Sequence, residues 1–104
     1  MRIKEYPRVQ AADGVSRQVL AENPEMMIVE FAFDRNAVGE LHQHPHTQST
    51  YVKSGQFEFT VGDQQYQLNP GDSLVIPSDT THGCKAVAAG VLIDTFTPRR
   101  EDFL

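Results

Sequence analysis

From Met26 to Phe96 the chain is cut into short runs of β-branched and aromatic residues by Gly, Pro, Asp and Asn, and stretches with a helical period are scarce. Such punctuation gives strands and leaves no room for crossover helices. Residues 15–21 read as a first strand and Asn23-Pro24-Glu25 as a turn. Met26 to Phe33 reads as the next strand, with Val29, Phe31 and Phe33 on one face and Ile28 and Glu30 on the other. Asp34 to Gly39 is a loop. Residues 52–61 read as a hairpin arm turned at Ser54-Gly55, in which Phe57, Phe59 and Val61 alternate with Glu58 and Thr60. Gly62-Asp63 is a tight turn answered by residues 65–68. Asn69-Pro70-Gly71-Asp72 carries the residues of a type II turn. A short buried strand at 73–76 and strands at 84–87 and 91–96 complete the set. Short antiparallel strands at this spacing predict an all-β fold, an antiparallel β-barrel or sandwich.

The 104 residues suit one domain spanning 1–104. A chain this short buries ~65% of its unfolded surface, so strands from a second copy would help, and a homodimer is expected. The net charge of −5 argues against nucleic acid or an anionic membrane as partner. A single cysteine, Cys84, allows no disulfide within the chain and reads as a small buried hydrophobe. No stretch approaches the ~20 apolar residues of a membrane span. Met1 to Glu5 carries charge early and lacks an apolar run, so no signal peptide is expected, and the cytoplasm is the expected compartment.

The chain has four histidines, and three of them fall within residues 42–46. On an extended strand His42 and His44 point the same way, and Gln48 returns to that side after the bend at Pro45. His82 follows the strand that ends at Pro77. His42, His44, Gln48 and His82 therefore read as one site for a divalent metal ion. His46 shares their parity but follows Pro45, which places it behind the ligands or at the surface. Three imidazoles and an amide leave the cation its full charge, which favours Lewis acidity over oxygen activation. The donor set suits nickel, zinc, iron or copper and admits manganese.

A neutral amide carries no protons, so an acid–base group must come from elsewhere. Leu92, Asp94 and Phe96 share one strand face, and if the apolar pair faces the interior, Asp94 does too. A carboxylate there is costly unless it has a partner or a task, and the alternative is an outward Asp94 in an ion pair. Arg100 reads either as a receptor for a carboxylate or as a solvated tail charge. Tyr51 is left undecided, and Met26 and Met27 read as core or interface filler.

These spacings resemble the two motifs of the cupin superfamily. His42-x-His44, three residues, Gln48, six residues and Gly55 follow the first, with Gln48 where many cupins carry a glutamate. Gly71, Pro77 and His82 follow the second, with Asp79 in place of its internal glycine and Ala86 in place of its final asparagine. His44-Pro45-His46-Thr47-Gln48, Tyr51-Val52 and the ending from Gly90 to Leu104 are similar to the small cupins of pectin and alginate breakdown, the KdgF type. The resemblance implies a double-stranded β-helix, the cupin jelly roll. It also implies ring opening of 4,5-unsaturated monouronates, small acidic sugars, to linear keto-aldehyde acids. By position it assigns catalytic roles to Asp94, Phe96 and Arg100. The competing readings are a non-catalytic metal-dependent module binding sugars or acids, and a dioxygenase, which Gln48 disfavours.

Overall fold

The computed structural model describes residues 4–104; Met1 to Ile3, part of the segment read above as too charged for a leader, lie outside them. Eight strands follow in order: β1 (Arg8–Ala12), β2 (Val15–Asn23), β3 (Met26–Phe33), β4 (Val38–His42), β5 (Thr47–Val61), β6 (Gln64–Leu68), β7 (Ser73–Ile76) and β8 (His82–Thr97). A single 3-10 turn, Glu101–Phe103, closes the chain. Every pairing is antiparallel.

Two long strands do the work of four. Ser54-Gly55 is not a hairpin turn but a break inside the 15-residue β5, and residues 84–87 and 91–96 are two halves of the 16-residue β8. Against the first half of β5 and the second half of β8 lie β3, β2, β1 and β7. Against their other halves lie β4 and β6. β5 and β8 thus pass from one layer of the barrel to the other, and the core lies between the layers.

The crossing is made by an irregular ladder. Five steps of β5, Val52 to Phe57, lie opposite six steps of β8, Leu92 to Ala86. The mismatch shifts inward parity from Gln48, Thr50 and Val52 to Phe57 and Phe59. Gly55 has φ +81°, and a Cβ on Gly90 would lie 2.2 Å from the Ser54 carbonyl oxygen and 2.7 Å from the Gly55 Cα. Both breaks that the sequence shows are therefore where two backbones meet, and glycine is what permits it.

Val15, Phe33, Val52, Phe57, Phe59, Leu68, Ala86 and Leu92 form the larger apolar cluster, with Phe33 and Phe57 edge-to-face at 5.3 Å. Val19, Met27, Val29 and Phe96 form the smaller one, beside the histidines. Truncating one of the buried phenylalanines to alanine costs ~3–5 kcal/mol at such positions. Met27 is core while Met26 is exposed, and in β7 only Ile76 is buried. The type II turn forms as read, with Gly71 at φ +93° and Asp72 N–H donating to the Asn69 carbonyl at 2.9 Å. β1 was not anticipated: Arg-Val-Gln-Ala-Ala is exposed throughout and shows no apolar alternation. It follows the edge of β2 through the two-residue turn Asp13-Gly14.

Candidate metal centre

His42 closes β4 and His82 opens β8, and the two are paired across that ladder with ring centroids 4.3 Å apart. His44 reaches them from the segment after β4 rather than from the strand, because the pairing stops at His42. Pro45, lacking an N–H, cannot continue a ladder there. That segment is instead held to the 77–81 loop. The His44 carbonyl accepts from Asp79 N–H at 2.8 Å, and the Pro45 carbonyl accepts from Ser78 Oγ at 2.6 Å. Asp79 adopts φ +59°, the left-handed conformation that explains a glycine at this place in the motif.

Each of the three rings is fixed by a main-chain carbonyl two residues away. His42 Nδ1 meets Glu40 O at 2.8 Å, His82 Nδ1 meets Thr80 O at 2.8 Å, and His44 Nδ1 meets His46 O at 3.1 Å. A carbonyl only accepts, so each Nδ1 carries the ring proton and each Nε2 keeps a lone pair. Donor atoms of the three rings lie within 4.8 Å of one another. His82 Nε2 is buried and has no hydrogen-bond partner. Burial holds the His82 imidazole down to about 4, and burial together with the Arg100 charge lowers His44, so both are neutral at pH 7. His46 stands outside this triangle and contributes its carbonyl.

Gln48, buried on β5, supplies the fourth donor atom, an amide oxygen. Its amide nitrogen donates to Thr50 Oγ1 at 3.0 Å and to Asp94 Oδ2 at 3.1 Å, which turns Oε1 toward His44 Nε2 at 3.1 Å. Two acceptors thus face each other, next to an orphaned Nε2. A divalent cation satisfies all of these lone pairs, and the donor set fits one.

Asp94 is 5% exposed on β8, between Leu92 at 2% and Phe96 at 1%. It faces inward, as the strand alternation requires, and is in no ion pair among the described residues. Its Oδ1 has no partner, and burial pushes the carboxyl up to about 7 against the opposing pull of Thr50 and Arg100. His42, Gln48, His82, Asp94, Phe96 and Arg100 all line one cavity of about 340 Å³. Arg100 arrives with its fork engaged, donating from Nε to Asp102 Oδ1 at 3.0 Å and from Nη2 to Asp102 Oδ2 at 2.8 Å. Tyr51 lies outside the cavity lining and is exposed. A larger groove, about 600 Å³ on β4, β5, β6 and β8, is lined by Glu58, Thr60, Tyr66 and Lys85 and contains no imidazole.

The family model of the cupin domain matches residues 29–96. The chain belongs to the cupin family. This cupin is 35% identical over 102 residues to the pectin degradation protein KdgF of Dickeya dadantii, covering 96% of the chain and 93% of that protein. The structure of KdgF from Halomonas sp. superposes with a TM-score of 0.90 at 40% identity, over 95% of this chain and 92% of the other. An RmlC-like cupin from Shewanella frigidimarina superposes with a TM-score of 0.92 at 39% identity, over 95% and 89%. The KdgF-type resemblance read from His44–Gln48, Tyr51-Val52 and the ending from Gly90 therefore extends over nearly the whole chain.

Arg17 and Phe103 are among the residues of this cupin's cavity that the sequence reading did not find. Arg17 lies on β2 between the buried Val15 and Val19, and Phe103 belongs to the terminal 3-10 turn. The signal for Arg17 was present: an odd-numbered charge between two odd-numbered valines is an inward charge. Phe103 had no such signal, since a three-residue turn after Pro98 has no period to read.

Proposed function

We propose that this cupin opens the ring of 4,5-unsaturated monouronates derived from pectin or alginate, giving linear keto-aldehyde acids. The observation that carries the reading is Asp94, a carboxyl group inside the cavity with one oxygen tied to Gln48 and the other unpartnered. The relatives named KdgF, one described as a pectin degradation protein, support the substrate class.

The chemistry asks for one mobile proton and no oxidant. Ring opening breaks the bond between C1 and the ring oxygen as the C1 hydroxyl loses its proton. C1 becomes an aldehyde, and the ring oxygen becomes an enolate oxygen on C5. A proton delivered to C4 then converts the enolate to a ketone, so product and substrate are isomers. Asp94 accepts the hydroxyl proton and returns it to carbon. Phe96, stacked edge-on to His44 with centroids 5.7 Å apart, forms the apolar wall that keeps water from the enolate. Arg100 sets a positive charge against the cavity that favours an acidic sugar. His42, His44, Gln48 and His82 would hold a divalent ion, which would supply Lewis acidity to the cavity.

The test is to add protein purified without chelators to lyase-generated unsaturated monouronate and follow the absorbance of its conjugated double bond. Faster loss than in buffer is expected. No acceleration rejects the activity, and saturable binding without product assigns the pocket to a binding module instead.

A further inference from the structure

The cavity contains a second guanidinium, and it differs from the first in what it is bound to. Arg100 is forked onto Asp102. Arg17 is in no ion pair among the described residues. Its Cζ lies 4.2 Å from the centroid of the Phe103 ring, and Arg100 Cζ lies 4.3 Å from the same centroid. Phe103 therefore packs against two arginines, Arg100 in an ion pair with Asp102 and Arg17 in none among the described residues. Arg17 is half-buried, flanked along β2 by Val15 and Val19, and lines the same cavity as His42, Gln48, His82 and Asp94. A half-buried guanidinium on the cavity wall is placed to meet an anionic group of a ligand. The guanidinium packs on the aromatic ring, and its N–H donors enter no ion pair among the described residues, which keeps them available to a ligand.

We infer that Arg17 binds the carboxylate of the sugar acid in a two-pronged contact, while Arg100 and Asp102 hold Phe103, and with it Arg17, in position. The inference rests on the proposed uronate specificity and deepens it: the cavity recognises a carboxylated sugar and discriminates against the neutral one. Arg17 was not among the residues assigned by the resemblance.

The experiment uses metal-loaded full-length protein and the variants Arg17→Gln and Arg17→Lys. Steady-state turnover of unsaturated monouronate and calorimetric titration with galacturonate and galactose are measured, with metal content and the unfolding midpoint as controls. Loss of a charge-assisted double hydrogen bond predicts a KM at least ~10-fold higher for Arg17→Gln, with kcat little changed. The galacturonate Kd weakens in parallel, galactose binding is unaffected, and Arg17→Lys is intermediate because it keeps the charge but not the fork. Unchanged KM and Kd in both variants overturn the inference, as does a fall in kcat alone, and so does a wild-type protein that binds no galacturonate. A Gln variant that fails to fold leaves Arg17→Lys to decide, by the same intermediate KM and Kd. A wild type that binds galacturonate through Arg17 but turns nothing over counts against ring opening and not against Arg17. Turnover that ignores Arg17 counts the other way.

Discussion

The Gln48 amide joins the histidine cluster to the one buried carboxyl in the cavity: its nitrogen donates to Asp94 Oδ2 at 3.1 Å while its oxygen lies 3.1 Å from His44 Nε2. A neutral amide can do both, giving a lone pair toward the cation site and a proton to the carboxylate. Glutamate cannot. Gln48→Glu is therefore expected to retain metal, since it adds negative charge there, but to set a like charge against Asp94. Turnover of unsaturated monouronate should fall at least ~10-fold, consistent with loss of a positioned acid–base group. Metal content by mass spectrometry and the ultraviolet assay read the two effects separately, and full activity in this variant contradicts the role given to the amide.

Asp94→Asn preserves shape and removes the proton carrier. Turnover is expected to drop by ~10²–10⁴-fold, the usual weight of general acid–base catalysis, with metal content unchanged. Retained activity would show that the proton moves by another route.

Gly90→Ala tests the crossing of the two layers. The new Cβ would stand 2.2 Å from Ser54 O and 2.7 Å from the Gly55 Cα, both backbone atoms that cannot swing aside. A loss of ~1–3 kcal/mol or more is expected in urea unfolding, the scale of core overpacking. A Gly71→Ala control probes a different cause, because its Cβ meets nothing within 4 Å and only φ +93° opposes it.

Cys84 faces inward beside Gly39, and burial, with the nearby Asp94 charge, pushes its thiol up to about 12. The thiolate is the reactive form, and at pH 8 it is scarce in the native protein. Alkylation with iodoacetamide should be at least ~100-fold slower than in the urea-unfolded chain. Equal rates would place the sulfur at the surface.

Much of this was legible in the sequence because two periodicities carry it. Strand alternation placed Asp94 inward between Leu92 and Phe96, and the same rule, applied to Val15, Arg17 and Val19, would have found Arg17. The convergence of His42, His44 and His82 follows from motif spacing, but strand alternation does not deliver His44, which arrives on a loop tied to Asp79 and Ser78. Ser54-Gly55 and Gly90 read as chain breaks because glycine marks a turn and a backbone contact alike, and only the facing strand tells them apart. β1 was invisible for want of buried side chains, although Asp13-Gly14 before Val15 was a hairpin signal. That Asp102 occupies Arg100 depends on a turn with no periodicity at all.

Metal content measures most directly whether rings from the two motifs hold one cation. Protein purified without chelators, exposed to a stoichiometric divalent ion and desalted, should carry about one ion per chain, and His82→Ala, verified as folded by circular dichroism, should carry less than about a tenth of that. Equal metal in the wild type and a folded His82→Ala, or none in either, would contradict the account.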